Sequence, residues 1–185
     1  MALGRSEIVE AALALLDEVG IDGLSTRVLA ARLGVKGPSL YWHFKSMREL
    51  HDHMAEAMLL GALPSADPAI SPGDWPQWLA EGARGIRRAA LSRRDGGRIL
   101  AGAKPTRAGP LDFAAMVARL TAAGFSPEDG RAALMALGRY ALGWVLDEQI
   151  ARTGTLATDA DFEFGLQAML GGLAGRVSQA GQARP

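Results

Sequence analysis

Ser25-Thr26-Arg27-Val28-Leu29-Ala30-Ala31-Arg32-Leu33-Gly34-Val35-Lys36-Gly37-Pro38-Ser39-Leu40-Tyr41-Trp42-His43-Phe44-Lys45 is the stretch on which the fold turns. It reads as a helix, a tight turn and a second helix. Ser25 or Thr26 can cap the first helix, because a short side-chain oxygen accepts from an N–H that the first turn leaves unpaired. Val28, Leu29 and Leu33 form its inner face, and Ala30 is small where another helix must come close. Gly34 supplies the turn. Lys36-Gly37-Pro38-Ser39 opens the next helix; Pro38 is tolerated there because its missing N–H would go unpaired in a first turn anyway. Val35, Leu40 and Phe44 return apolar groups to a small core shared with Leu15, Val19 and Leu29. Leu40 and Phe44 are four apart and share the buried stripe, so part of Tyr41-Trp42-His43 must face outward. Beside Ser39, Lys45 and a helix N-terminus, those aromatics suit phosphate and base-edge contacts. Spacing alone leaves open an ordinary helical hairpin with an exposed aromatic patch.

Charge sharpens the choice. The chain carries 20 Lys+Arg against 20 Asp+Glu, a balance that argues against nucleic acid when summed. Residues 25–48, however, hold Arg27, Arg32, Lys36, Lys45 and Arg48 with no acid, whereas residues 1–24 hold Arg5 against Glu7, Glu10, Asp17, Glu18 and Asp22. A local basic block of this kind is an electrostatic footprint that the total hides. A solvated basic face is the plain alternative.

Outside this stretch the chain reads as helical throughout. Residues 5–20 carry Ile8, Ala12, Leu15, Leu16 and Val19 at helical spacing, closed by Gly20 and a turn at 21–24. Residues 47–62 form a fourth helix, and a Pro-rich loop covers 64–73. Helical patterns resume at 74–94, 97–102, 107–123, 127–152 and 160–179, with Asp74, Ser126 and Asp159 as N-caps. The expected fold class is all-α. On 160–179, Gly165, Ala168, Gly172 and Gly175 form a small-residue seam with Gly171 beside it. Gly130, Leu134, Leu137, Gly138, Ala141 and Val145 form a similar stripe on 127–152. Glycine in a helix costs about 1 kcal/mol relative to alanine, so such stripes point to close helix packing. Two per subunit would build a four-helix dimer interface; close packing within one chain is the other possibility.

Composition excludes several classes. The 185 residues suit one medium domain, or a small module joined to a larger one. No Cys is present, which removes disulfides, thiolate metal sites and Cys nucleophiles. The only His are His43, His51 and His53, too few and too closely strung for a His-rich metal cluster. No apolar run is long enough to span a bilayer and no signal peptide opens the chain, so a soluble cytoplasmic protein is expected. Asp147-Glu148 and Asp159/Asp161 lack a matching base or Gly-rich loop, and no nucleophile elbow occurs. Arg87-Arg88 and Arg93-Arg94 read as solvent-facing or interdomain ion pairs. An enzyme is therefore the weaker reading, and no metal or cofactor is expected.

At residues 5–50, and above all at Leu40-Tyr41-Trp42-His43-Phe44-Lys45, the sequence resembles the DNA-binding domain of TetR-family repressors. Arg87-Arg88, Arg94-Asp95-Gly96, Lys104-Pro105, Gly124-Phe125-Ser126, Asp129-Gly130 and Leu142-Gly143-Trp144-Val145-Leu146 resemble the C-terminal domain of the tetracycline-repressor subgroup. The resemblance implies a three-helix DNA-binding domain at 1–46 and a helical ligand-binding and dimerisation domain at 47–185. It implies a homodimer on a palindromic double-stranded DNA operator, released by a small molecule; a constitutive DNA-binding protein without ligand is the alternative.

Carried over by position, Thr26, Arg27, Gly37, Pro38 and Tyr41 are base-contacting or groove-facing, and Ser39, Trp42, His43 and Lys45 contact the backbone. Gly37 stands where the tetracycline repressor has a base-reading Gln, so the operator should differ; Met47 stands where it has a Lys on phosphate, so one ionic contact is expected to be missing. In the ligand domain the metal-holding His of that subgroup aligns with Leu100. A pocket Asn aligns with Gly82, a Phe with Ile86, a Thr with Ala103, a Gln with Met116, a second His with Arg139, and the metal-linked Glu with Asp147. The resemblance therefore implies an apolar wall of Ile86, Leu100, Ala103, Phe113, Met116, Leu134 and Trp144. Lys104, Arg139 and Asp147 would be its polar anchors, and the ligand a small hydrophobic molecule in place of tetracycline.

Overall fold

A computed structural model of the chain describes residues 3–64, 72–103, 112–150 and 158–182. Among the described residues there are nine α-helices and no strand. They are α1 Arg5–Gly23, α2 Thr26–Leu33, α3 Gly37–Leu40, α4 Met47–Leu59, α5 Trp75–Leu91, α6 Gly96–Gly102, α7 Phe113–Ala122, α8 Pro127–Ile150 and α9 Asp159–Gln182. The all-α architecture read from the sequence is the one observed.

Local chemistry sets the first four helices. Gly20 breaks α1 with φ 74° and ψ 173°, a left-handed value that favours glycine, yet helical turns resume to Gly23. Ser25 caps α2 by accepting from Val28 N at 3.3 Å, and Gly34 closes it with φ 66°. The helix after the turn is shorter than its sequence suggests. It ends at Leu40, and His43 N and Phe44 N both donate to Leu40 O at 3.0 Å. The chain has to stop there because α4 starts at once: Ser46 Oγ accepts from Glu49 N while Glu49 Oε2 accepts from Lys45 N, a reciprocal cap.

Two apolar cores follow. The first encloses Ile8, Leu16, Leu29, Leu40, Phe44, Leu50 and Met54 from α1 to α4, and receives Ile99 and Leu100 of α6 and Val145 of α8. The second joins Trp75, Trp78 and Leu79 of α5 to Leu120 of α7, Leu137 and Ala141 of α8, and Phe162, Leu166 and Leu170 of α9. Each fully buried side chain of this size contributes roughly 1.5–3 kcal/mol.

Several expectations are corrected. Val19 is 39% exposed and lies outside the first core, since it sits one residue before the Gly20 break. Asp74 makes no side-chain cap for α5. Thr158, not Asp159, caps α9: its Oγ1 accepts from Asp161 N while Asp161 Oδ2 accepts from Thr158 N, and Asp159 instead pairs with Arg87. The stripe on α8 faces inward. Leu137, Ala141 and Val145 are buried, and Gly130 lies against Leu120 of α7. It is therefore packing within the chain. On α9, Gly165 is filled by the Tyr140 ring, but Ala168, Gly171, Gly172 and Gly175 are exposed, and a Cβ added at Gly171, Gly172 or Gly175 would meet nothing within 4 Å.

Ion pairs lock the helices of the second core. Arg84 is bidentate to Glu163 at 2.7 and 2.6 Å; Arg87 is bidentate to Glu148 at 2.8 and 3.1 Å and reaches Asp159 at 2.6 Å. Together they tie α5 to α8 and α9. The turn between α5 and α6 joins the two cores. From α1, Asp17 accepts from the Arg93 side chain and from Arg94 N, Glu18 O accepts from Arg94, and Asp22 is bidentate to Arg98 at 2.8 Å, while Asp95 accepts from Ile21 N. From α8, the Gln149 amide donates to Ala90 O and Arg93 O and accepts from Gly97 N. Of Arg93 and Arg94, read from the sequence as solvent-facing or interdomain ion pairs, Arg93 makes an ion pair with Asp17 of α1, whereas the Arg94 side chain donates to the Glu18 carbonyl.

Candidate functional sites

The first site is the outer face of α2 and α3. Thr26, Arg27, Gly37, Pro38 and Tyr41 ring one shallow depression, floored by Ala30, Ala31 and Val35. They meet because the Gly34 turn folds α3 back beside α2, with Val35 N donating to Ala30 O at 3.0 Å. The five residues that the resemblance places at base edges are therefore side by side. Tyr41 is 57% exposed and Trp42 86%, next to Leu40 and Phe44, which are buried. Apolar rings held this far into water by a buried neighbour on each side form a surface that folding alone does not call for.

The basic block is distributed unequally on this face. Arg32 is paired with Glu18 of α1, and Arg48 with Asp52 at 3.4 Å. Arg27, Lys36 and Lys45 are exposed and have no ion pair among the described residues. Their charges face solvent and can neutralise phosphates. Ser39 and His43 are half-buried beside them, and Lys45 contributes its backbone N–H to the start of α4 while its side chain stays outside.

The second site is a cavity of about 210 Å³ in the second core. Its walls are Trp78, Leu79, Gly82, Ala83 and Ile86 of α5, Phe113 and Met116 of α7, and Leu134, Leu137 and Gly138 of α8, together with Leu59, Leu63 and Pro64. No charged side chain lines it among the described residues.

The sequence-derived ligand set divides here. Ile86, Phe113, Met116 and Leu134 line the cavity together. Leu100 and Ala103 do not; α6 turns them into the first core. Trp144 packs edge-on against Tyr140 and Phe162, away from the lining. Arg139 and Asp147 are exposed on the outer side of α8, because the opposite side of that helix is the one packed against α5. Lys104 lies outside the described residues. Sequence reasoning missed Trp78, Leu79 and Ala83, and Leu59, Leu63 and Pro64. Trp78, Gly82 and Ile86 recur every fourth residue, and that α5 stripe was the available signal.

Other titratable groups are accounted for nearby. Tyr140 donates to Phe162 O at 2.7 Å, and its burial raises its pKa above the ordinary phenol value. His53 approaches Glu56 at 3.5 Å and meets the Phe44 ring edge-on. No group of three or more potential metal ligands occurs among the described residues, and no helix there is long and apolar enough to cross a membrane.

Two family models match the chain. Residues 8–54 match the family model "Bacterial regulatory proteins, tetR family", and residues 67–156 match "Tetracyclin repressor-like, C-terminal domain". The tetracycline repressor protein class A from transposon 1721 of Escherichia coli is 40% identical over 94% of this chain and 92% of its own length. A crystal structure of the class A repressor with 5a,6-anhydrotetracycline and magnesium superposes with a TM-score of 0.76 at 43% identity, covering 93% of this chain and 98% of that one. BioQ with its double-stranded DNA operator superposes with a TM-score of 0.73 at 31% identity, covering 94% and 99%.

Proposed function

The chain belongs to the tetR family of bacterial regulatory proteins, and from that membership we propose that it is a cytoplasmic, ligand-responsive DNA-binding repressor, not an enzyme. The observation that carries the reading is the joint exposure of Tyr41 and Trp42 on a segment whose Arg27, Lys36 and Lys45 are exposed without an ion pair among the described residues, with Arg27 and Tyr41 lining one depression. Thr26, Arg27, Gly37, Pro38 and Tyr41 read base edges in the major groove; Ser39, Trp42, His43 and Lys45 hold the backbone.

The protein works as a homodimer, so that two such faces meet successive major grooves of a palindromic operator. The partner surface is the exposed stripe of α9, where Phe164, 78% exposed, stands on the same face as Ala168, Gly171 and Gly175. Phe164 and the small residues four and seven positions on give a second helix both a close approach and an apolar contact.

A small hydrophobic molecule entering the α5–α7–α8 cavity releases the DNA. The cavity shares α5 and α8 with the turn that α1 grips, so a shift of either helix reaches the reading face. The test has two stages. Selection of bound DNA from a random library should return a palindrome, and a release screen across compound classes should return uncharged apolar molecules. Recovery of no preferred sequence would overturn the repressor reading; a palindrome that nothing releases would leave a constitutive binder.

A further inference from the structure

Several glycines in helices of this protein have an evident reason. A Cβ at Gly85 or Gly96 would run into backbone oxygens, at Gly97 into Val145 and Gln149, and at Gly165 into Tyr140; these positions let two elements touch. Gly143, Gly171, Gly172 and Gly175 have open space but face outward. Gly82 and Gly138 fit neither group. Both are half-buried, both lie inside long helices, and a Cβ added to either meets nothing within 4 Å. The space they leave is the cavity, which both line. Helix-interior glycine is destabilising relative to alanine, so two vacant positions on one apolar wall keep a volume open against the interest of the fold.

The wall also says what fits. Among the described residues its single polar-headed side chain is Trp78; the remainder are aliphatic side chains, Phe113, Met116 and two glycines. A buried charge without a partner is strongly unfavourable. A hard cation needs oxygen or imidazole ligands, and the described lining contains no carboxylate, amide or histidine. The described residues therefore do not fit the magnesium that accompanies 5a,6-anhydrotetracycline in the class A repressor structure. At about 210 Å³ the cavity exceeds the ~150 Å³ that holds a benzene and falls short of the ~300 Å³ where drug-sized sites begin.

We propose that Gly82 and Gly138 hold open a metal-free effector site for an uncharged, apolar molecule of about two fused rings. This rests on the ligand-responsive reading above and deepens it. The test uses the full chain, with 2-naphthol as probe and 2-naphthoate as its charged twin, titrated by calorimetry. 2-Naphthol should bind, and 2-naphthoate about 100-fold more weakly or not at all. Gly82→Ala and Gly138→Ala should each raise the thermal midpoint by about 2–4 °C and weaken 2-naphthol about tenfold.

No binding of 2-naphthol, or equal binding of both probes, would overturn the proposal. So would a lowered midpoint in both variants, which would mean the space is absent, or a raised midpoint with unchanged affinity, which would place the probe elsewhere. Tetracycline binding that requires Mg²⁺ and outcompetes 2-naphthol would overturn the metal-free assignment. Binding of 2-naphthol that fails to release operator DNA would support the cavity assignment and count against the responsive reading alone, so the two failures are distinguishable.

Discussion

The two cores of the molecule are filled to different degrees. Beneath the α2–α3 face, among Ile8, Leu29, Leu40, Phe44 and Leu50, the residual space is about 10 Å³, no more than a single water needs. Between α5, α7 and α8 it is about 210 Å³. Both cores are apolar and both are built from helices, so composition does not separate them. The difference follows from what each must do. A surface that reads base edges has to hold its side chains still, and close packing does that. A core that responds to a small molecule has to retain room for it.

The comparison breaks most easily at its filled side. Leu29→Ala should cost about 2–5 kcal/mol, because nothing can collapse into the space, whereas Leu134→Ala on the cavity wall should cost about 1–2 kcal/mol, since that side chain already faces a void and has fewer contacts to lose. Urea unfolding of both variants measures this, and equal losses would mean that the cores are alike. On the reading face, Arg27→Ala and Tyr41→Ala should each cost about 1–3 kcal/mol of specific DNA binding with little change in stability. Lys45→Ala should weaken all sequences alike and lower the salt slope by about one. Loss of the same size on operator and random DNA for Arg27→Ala would move that residue to the backbone.

The α9 stripe is a third region, packed by neither core. Gly172→Leu should split the dimer at a cost of roughly 1–3 kcal/mol, seen as a halved mass in sedimentation; an unchanged dimer would reassign the interface. The smallest effect concerns His51, whose Nε2 is buried without a hydrogen-bond partner at the edge of the filled core. Burial, helped by Arg48 and opposed by Asp52, holds its pKa below the ordinary 6.5. The folded state thus prefers neutral His51. Its stability is full above that ordinary value, falls as pH drops through it, and levels off once the folded-state pKa is passed. His51→Gln should flatten the dependence of the urea midpoint between about pH 7 and about pH 5, ahead of the acid range where Asp22 and Glu163, held low by Arg98 and Arg84, begin to titrate.

What could be read from the sequence divides along the same lines. The α2–turn–α3 unit was legible because its signals are local: Ser25 as cap, Gly34 in the left-handed region, and Leu40 and Phe44 flanking exposed aromatics. The α8 stripe was not, because small residues at helical spacing look the same whether they meet another helix of the chain or of a partner. Gly130 against Leu120 resolves it, and that contact is tertiary. Leu100 and Ala103 were misplaced for a related reason. Alignment with the tetracycline-repressor subgroup put them on the ligand wall, but α6 is seven residues long, contacts α4 and α8, and packs Leu100 and Ala103 with the first core. Ile86 and Met116 came from the same alignment, and with Phe113 and Leu134 they do line one cavity.

Gln149 has a further consequence. Its side-chain oxygen holds the Gly97 N–H at 3.0 Å, inside a turn that α1 grips from the other side. That proton, in the first turn of α6, exchanges with deuterium when the side-chain amide of Gln149 lets go, and Gln149 is the residue of α8 that also holds Ala90 O and Arg93 O. Gly97 is thus a clock placed at the hinge: its exchange half-life, with and without a molecule in the cavity, times the opening of the joint between the two cores.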